Sequence, residues 1–197
     1  MYNAYLPSYA GVNENGEALY WVDEKIDGNA TTTGVQPAKS KDYTTTSLNK
    51  ASYYEQGSLL PKVFGGLSTN FRFKRFDLSA TFDYQLGGKV YDIQYSSLMS
   101  PCSAAGEAGH AIHKDYINSW SPENKSSNIP RWQFGDKFTS GKSDRFLTSA
   151  RYFNFQSFTV GYTLPKGIIP MISNIRIYCA GENLCFWSAR KGLDPRY

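Results

Sequence analysis

No run of about 18 apolar residues occurs anywhere in the 197-residue chain, which excludes a transmembrane helix. A barrel strand is apolar only at alternate positions, so a membrane-spanning sheet stays open. Cysteine is scarce. Cys102, Cys179 and Cys185 form an odd count without CxxC spacing, supporting neither a disulfide framework nor a zinc site. Only two histidines exist, His110 and His113, near Cys102 and Glu107. An i,i+3 pair can share a helix face, but no conventional ligand spacing is met, and no metal or cofactor is expected. Charged residues are only 19% of the chain and the net charge is +4, from scattered Lys and Arg. Their densest cluster, Arg72, Lys74 and Arg75, sits at a predicted turn, whereas nucleic-acid binding wants a basic stripe; no nucleic-acid partner is expected. There is no Gly-x-Ser-x-Gly elbow, and neither Gly65-Gly66 nor Gly87-Gly88 is followed by the Lys-Ser/Thr of a phosphate loop. An enzyme is not expected. Met1 is followed by Tyr-Asn-Ala-Tyr-Leu-Pro, which has neither the basic start nor the apolar run of a signal peptide. Either the chain is cytosolic or it is a piece whose address lies elsewhere.

What is abundant is aromatic: 15 Tyr, 12 Phe and 4 Trp, among much Thr, Ser, Asn and Gly. Aromatic and β-branched side chains fit a pleated sheet, and glycine marks its bends, so the chain reads as all-β. Residues 76–86 carry the clearest signal. Phe76, Leu78, Ala80, Phe82, Tyr84 and Leu86 alternate without error with Asp77, Ser79, Thr81, Asp83 and Gln85. That is a strand with one greasy face and one wet face. Val63, Gly65, Leu67, Thr69, Phe71 and Phe73 alternate likewise before it, leaving only Lys74 and Arg75 for a turn. Eleven residues at ~3.4 Å per step span about 34 Å, and at a ~40–45° tilt they cover about 25 Å, the apolar height of an outer-membrane barrel. Strands of soluble sheets have a mode nearer 5–6 residues.

Two further long strands are predicted, over 151–164 and 174–186. In the first, Phe158, Val160, Tyr162 and Leu164 share one phase while Phe153 and Phe155 take the other. Either a bulge shifts the phase or that half leaves the membrane. Residues 1–58 read as a long loop with a small hairpin around 18–22. Residues 92–150 read as a second long loop holding one helix, roughly 103–120, and 165–173 read as a short turn. Barrels have short periplasmic turns and long extracellular loops. The pattern therefore places 74–75 and 165–173 in the periplasm and 1–58, 92–150 and 187–197 outside. Four strands cannot close a barrel whose minimum is eight, so the expectation is part of one.

Several segments resemble, in order, the C-terminal part of SusC/RagA-type TonB-dependent outer-membrane transporters of the Bacteroidetes. They are Ala10-Gly11-Val12-Asn13 to Gly16-Glu17-Ala18-Leu19-Tyr20; Leu60-Pro61-Lys62-Val63-Phe64-Gly65-Gly66-Leu67; and Phe76-Asp77-Leu78-Ser79 on to Tyr91-Asp92. Trp120-Ser121-Pro122-Glu123-Asn124 with Ile129-Pro130-Arg131 follows, then Gly161-Tyr162-Thr163-Leu164-Pro165, Asn183-Leu184 and Gly192-Leu193-Asp194-Pro195. Asn154 departs from the pattern, standing where the family usually has Arg.

The resemblance implies that 1–197 is the C-terminal portion of a receptor barrel, without plug domain or final strand. It implies import of oligosaccharides or peptides, energisation through the TonB complex and a SusD-like surface lipoprotein as partner. Outer-membrane lipid and the remainder of the same barrel would be the other neighbours. On this view Phe76, Leu78, Ala80, Phe82, Tyr84 and Leu86 face lipid. The loop aromatics Tyr20, Trp21, Tyr43, Tyr53, Tyr54, Trp120 and Trp132 either contact ligand or partner, or pack their own loops and the aromatic girdle. Two other readings stay open: a soluble secreted β-sandwich that binds carbohydrate, and an inactive truncated remnant.

Overall fold

The computed structural model describes residues 2–23, 40–100, 109–135, 141–166 and 174–196. The chain divides into two compact units, one made of Met1–Leu59 with Tyr91–Thr148 and the other of Leu60–Val90 with Ser149–Tyr197.

In the first unit short strands replace the expected loop: β1 (Asn3–Pro7), β2 (Tyr9–Val12), β3 (Ala18–Val22), β4 (Tyr43–Thr45) and β5 (Tyr53–Ser58). β1 pairs with β5, and β2, β3 and β4 form a three-stranded antiparallel sheet. Two small cores hold the unit. In one, Ala18, Tyr20 and Ala51 are buried with Tyr9 and Leu48 against them. In the other, Met99, Tyr116 and Phe146 are buried against Tyr91, Tyr95 and Ile129.

The helix expected over 103–120 is corrected in its described part, 109–120. Residues 101–108 lie outside the described part, and beyond them the backbone makes only a 3-10 turn, Lys114–Asn118. Gly109 sits at φ 91, and Ile112 and Ile117 are exposed, so the described residues 109–120 present no apolar stripe to hold a helix down. Among the described residues the unit's α-helix is α1 (Ile93–Leu98), started by the Asp92 carboxylate, which accepts from the Tyr95 N–H at 2.8 Å.

The second unit contains a four-stranded antiparallel meander in the order β11-β10-β7-β6. Its strands are β6 (Val63–Phe73), β7 (Phe76–Leu86), β10 (Tyr152–Thr163) and β11 (Arg176–Ser188). Two short strands, β8 (Lys89–Tyr91) and β9 (Leu147–Ser149), pair with each other. β6 and β7 have the predicted limits, with Phe73 opposite Phe76 and Lys74 at φ 53 in the turn between them. β10 and β11 shift by one or two residues from expectation. Most of the expected 165–173 turn lies outside the described residues.

The phase break in β10 is a bulge. Its register against both β7 and β11 slips between Phe155 and Ser157. The extra residue returns Phe153 and Phe155 to the face that carries Phe158, Val160 and Tyr162. On β11 the same region contains Asn183 at φ 51, a conformation asparagine tolerates.

Candidate functional site

Residues directly opposite in antiparallel strands project to the same side. The registers therefore assign every side chain of the meander to one of two faces. One face carries Leu67, Phe71 and Phe73 of β6, then Phe76, Leu78, Ala80, Phe82, Tyr84 and Leu86 of β7. It continues through Phe153, Phe155, Phe158, Val160 and Tyr162 of β10 to Ile177, Cys179, Cys185 and Trp187 of β11. No charged residue interrupts it. Phe82 stacks on Phe155 at 4.6 Å and on Phe153 at 5.7 Å, and Phe153 lies 5.7 Å from Trp187. These side chains are open: Leu67 is 61% exposed, Phe71 55% and Ile177 63%. Ala80 is 7% exposed because it is small and stands between Phe158 and Thr69 across the ladders. Four strands ~4.8 Å apart and ~34 Å long make a face of roughly 650 Å², above the largest apolar patch of an ordinary soluble monomer. A sandwich would seal such a face under a second sheet.

The opposite face is polar and bonded across strands. Asp77 of β7 and Arg176 of β11 meet over β10: Arg176 Nε donates to Asp77 Oδ1 at 3.1 Å, and Nη2 donates to Oδ2. Gly161 makes this clasp possible, since a Cβ there would fall 2.6 Å from Arg176 Nη2 and 2.7 Å from Asp77 Oδ2. At the other end the buried Asn154 amide donates to Asp83 Oδ1 at 2.7 Å. The turn after β11 closes on the same place. Gly192 takes φ 87, and the Asp194 carboxylate accepts from the Arg196 backbone N–H and guanidinium at 2.7–3.2 Å. Arg196 then lies over the rings of Phe186 and Tyr152, at 5.0 and 5.6 Å, with Nη1 3.8 Å from Asp83 Oδ2. Its guanidinium holds the Asp194 carboxyl below the usual carboxylate range. Pro165 follows β10 and is half-buried.

The first unit gives the loop aromatics separate positions rather than one binding surface. Tyr20 is a core residue, and the Tyr54 ring is buried, its hydroxyl donating to the Ser40 carbonyl at 2.7 Å under Lys41. Burial raises the Tyr54 hydroxyl above its ordinary pKa. Both are thereby withdrawn from the ligand-contact set. Trp21 is half-buried and pairs with Thr44; Tyr53 pairs with Pro7. Trp120 packs on Gly16, where any Cβ would come within 2.5 Å of its ring, and Gly16 itself takes φ 82. Arg131 locks that contact by donating from its backbone to Gly16 O and from Nη1 to Asn15 O. Trp132 is 51% exposed and Tyr43 is exposed. His113 turns its Nδ1 to the Asp115 backbone N–H and sets its ring edge-on to Tyr95 at 4.8 Å. Tyr9 packs on Tyr20, and burial pushes its hydroxyl up to about 12 against the opposing pull of Arg145.

No family model matches the chain. Over 141 residues it is 26% identical to TonB-dependent receptor P3 of Formosa agariphila, covering 71% of this chain and 13% of that protein. The RagAB peptide transporter superposes on 98% of this chain with a TM-score of 0.69 at 22% identity. The chain has the fold of part of the RagAB transporter. A RagAB peptide importer in the "open-open" state superposes on 97% of it with a TM-score of 0.67 at 21% identity. The chain spans about a fifth of these RagAB chains. Landmark segments converge once within each unit. In the first, Gly16 of the Ala10–Tyr20 segment meets Trp120 and Arg131, and in the second Gly161 lies beneath the Asp77–Arg176 clasp.

Sequence reading missed both the clasp and the Arg196 closure. The signal was present as Asp77 and Arg176 at polar-phase positions, but pairing them required the strand order.

Proposed function

We propose that this chain forms part of an outer-membrane, TonB-dependent importer in a Bacteroidetes-type envelope, as the C-terminal portion of its barrel. The uncharged, open face of β6, β7, β10 and β11 meets lipid hydrocarbon, and the face with Asp77, Asp83, Asn154 and Arg176 meets the aqueous interior. The observation that carries this reading is the uncharged face itself, continuous over four strands of 11 to 13 residues. Backbone in hydrocarbon must be satisfied by neighbouring strands, and the ladders joining β6 to β7, β7 to β10 and β10 to β11 do so apart from the β10 bulge. The likeness to TonB-dependent receptor P3 and to RagAB supports it.

The first unit, by this reading, belongs to the extracellular vestibule, with Trp21, Tyr53, Trp120 and Trp132 as its candidate aromatic contacts. Cargo is an oligosaccharide or a peptide. The RagAB neighbours are described as peptide importers, so peptide is the cargo to test first. A SusD-like surface lipoprotein closes the mouth, and the TonB complex supplies energy. The experiment is uptake of fluorescent peptides and oligosaccharides by cells with and without the gene, each with and without an uncoupler. Gene-dependent, uncoupler-sensitive uptake and a lipoprotein that co-purifies are expected. Unchanged uptake on deletion overturns the importer assignment.

A further inference from the structure

Both faces of the meander end at the β6–β7 turn, and there they present different chemistry around the same residues. On the polar side Arg72, Lys74, Arg75, Asp77 and Arg176 line a cleft of about 320 Å³. On the apolar side Phe73, Phe76 and Tyr162 line an open cleft of about 610 Å³, rimmed again by Lys74 and Arg75. Asp77 is taken by Arg176. Among the described residues no carboxylate pairs with Arg72, Lys74 or Arg75. Lys74 lies over the Phe73 ring, Nζ 5.4 Å from its centroid, so a cation stands at the rim of the apolar face.

We propose that this end of the wall binds an anionic phospholipid, with its phosphate against Lys74 and Arg75 and its acyl chain against Phe73, Phe76 and Tyr162. The proposal rests on the lipid-facing reading given above. Long cationic side chains lie along apolar surface and carry their charge to the headgroup layer. The guanidinium fork matches phosphate oxygens. Aromatic rings at this height are the girdle of a barrel. The two cations at this rim, Lys74 and Arg75, favour a lipid of net negative charge over a zwitterionic one, whose own ammonium competes for the phosphate. Each cation near such a headgroup contributes about fivefold in affinity.

The test uses the intact outer-membrane protein in nanodiscs of equal phosphatidylglycerol and phosphatidylethanolamine. A photoreactive benzophenone side chain replaces Phe73 in one sample and Leu67, mid-strand on the same face, in another. The adducts are quantified by mass spectrometry. At Phe73 phosphatidylglycerol adducts should exceed phosphatidylethanolamine adducts several-fold, and the Lys74→Asn/Arg75→Gln variant should bring the ratio to parity. At Leu67 both lipids should be captured equally in both backgrounds, which also shows that the variant is folded. Parity at Phe73 without those substitutions, or a preference that survives them, overturns the lipid site while leaving the lipid-facing wall intact. Absence of lipid adducts at both positions defeats the wall reading itself.

Discussion

Arginine at position 67 and arginine at position 68 place the same charge one residue apart on opposite faces of β6. Leu67 is the fifth of the strand's 11 residues and Ser68 the sixth, so both sit at the middle of the strand. One step of ~3.4 Å, shortened by tilt, keeps Leu67 within about 3 Å of the midplane of a band about 25 Å high. There an outward arginine costs about 2–4 kcal/mol. Leu67 is open on the apolar face, opposite Phe82, so the cost arises from hydrocarbon rather than from a disturbed protein core. Ser68→Arg removes only a long contact, 3.4 Å, between its hydroxyl and that of Thr81. It places the guanidinium beside Asn70, Thr81 and Asp83, a loss of about 1 kcal/mol or less. The two variants should therefore differ by about 2 kcal/mol, roughly 30-fold in the folding equilibrium. Urea titration of the barrel in phospholipid vesicles, followed by tryptophan fluorescence, measures both. Equal losses, or the larger loss at Ser68, would refute the assignment of faces.

Gly161→Ala should destabilise the barrel by about 1–3 kcal/mol, because its methyl enters the space of the Asp77–Arg176 clasp; the same titration checks it, and no loss would show that the clasp does not form. The Asp194 carboxyl is depressed by Arg196. Its contribution to holding the last turn is present above the ordinary carboxylate pKa and lost as pH falls through the depressed value. Hydrogen exchange of residues 190–196 should thus be flat from neutral pH to about 4 after correction for intrinsic rates, and rise below it. The rise should vanish in Asp194→Asn, whose turn is open throughout. Tyr54→Phe should cost about 1 kcal/mol of stability through its lost bond to Ser40 and leave cargo affinity unchanged, whereas Trp132→Ala should weaken cargo binding without a stability loss.

The legible parts of the fold were those long enough to show a period. β7 carries five cycles of strict alternation and β6 a looser pattern, with Phe64 in the polar phase and Thr69 in the apolar one, and the limits of both were readable to the residue. The bulge in β10 left a visible trace as a phase break. The strands β1 to β5 have only 3 to 6 residues each and lie among Asn, Gly and Thr turn signals, too short for alternation to register. β3 was readable whole because Ala18-Leu19-Tyr20-Trp21-Val22 is apolar throughout. Of the expected helix over 103–120, the described residues turn in 3-10 geometry at Lys114–Asn118 instead. Of the candidate site, the apolar phase was readable along each strand. The polar clasps were not, since Asp77 and Arg176 stand 99 residues apart and meet only through the order β7-β10-β11.

Hydrocarbon contact along β7 can be read residue by residue with nitroxides placed singly at positions 76–86, after the three native cysteines are replaced by serine and the protein is returned to bilayers. Collision with dissolved oxygen should rise at Phe76, Leu78, Ala80, Phe82, Tyr84 and Leu86 and fall at the five positions between, with a polar nickel reagent showing the reverse. A flat profile, or nickel access at the even positions, would mean that water or protein, not lipid, meets that face.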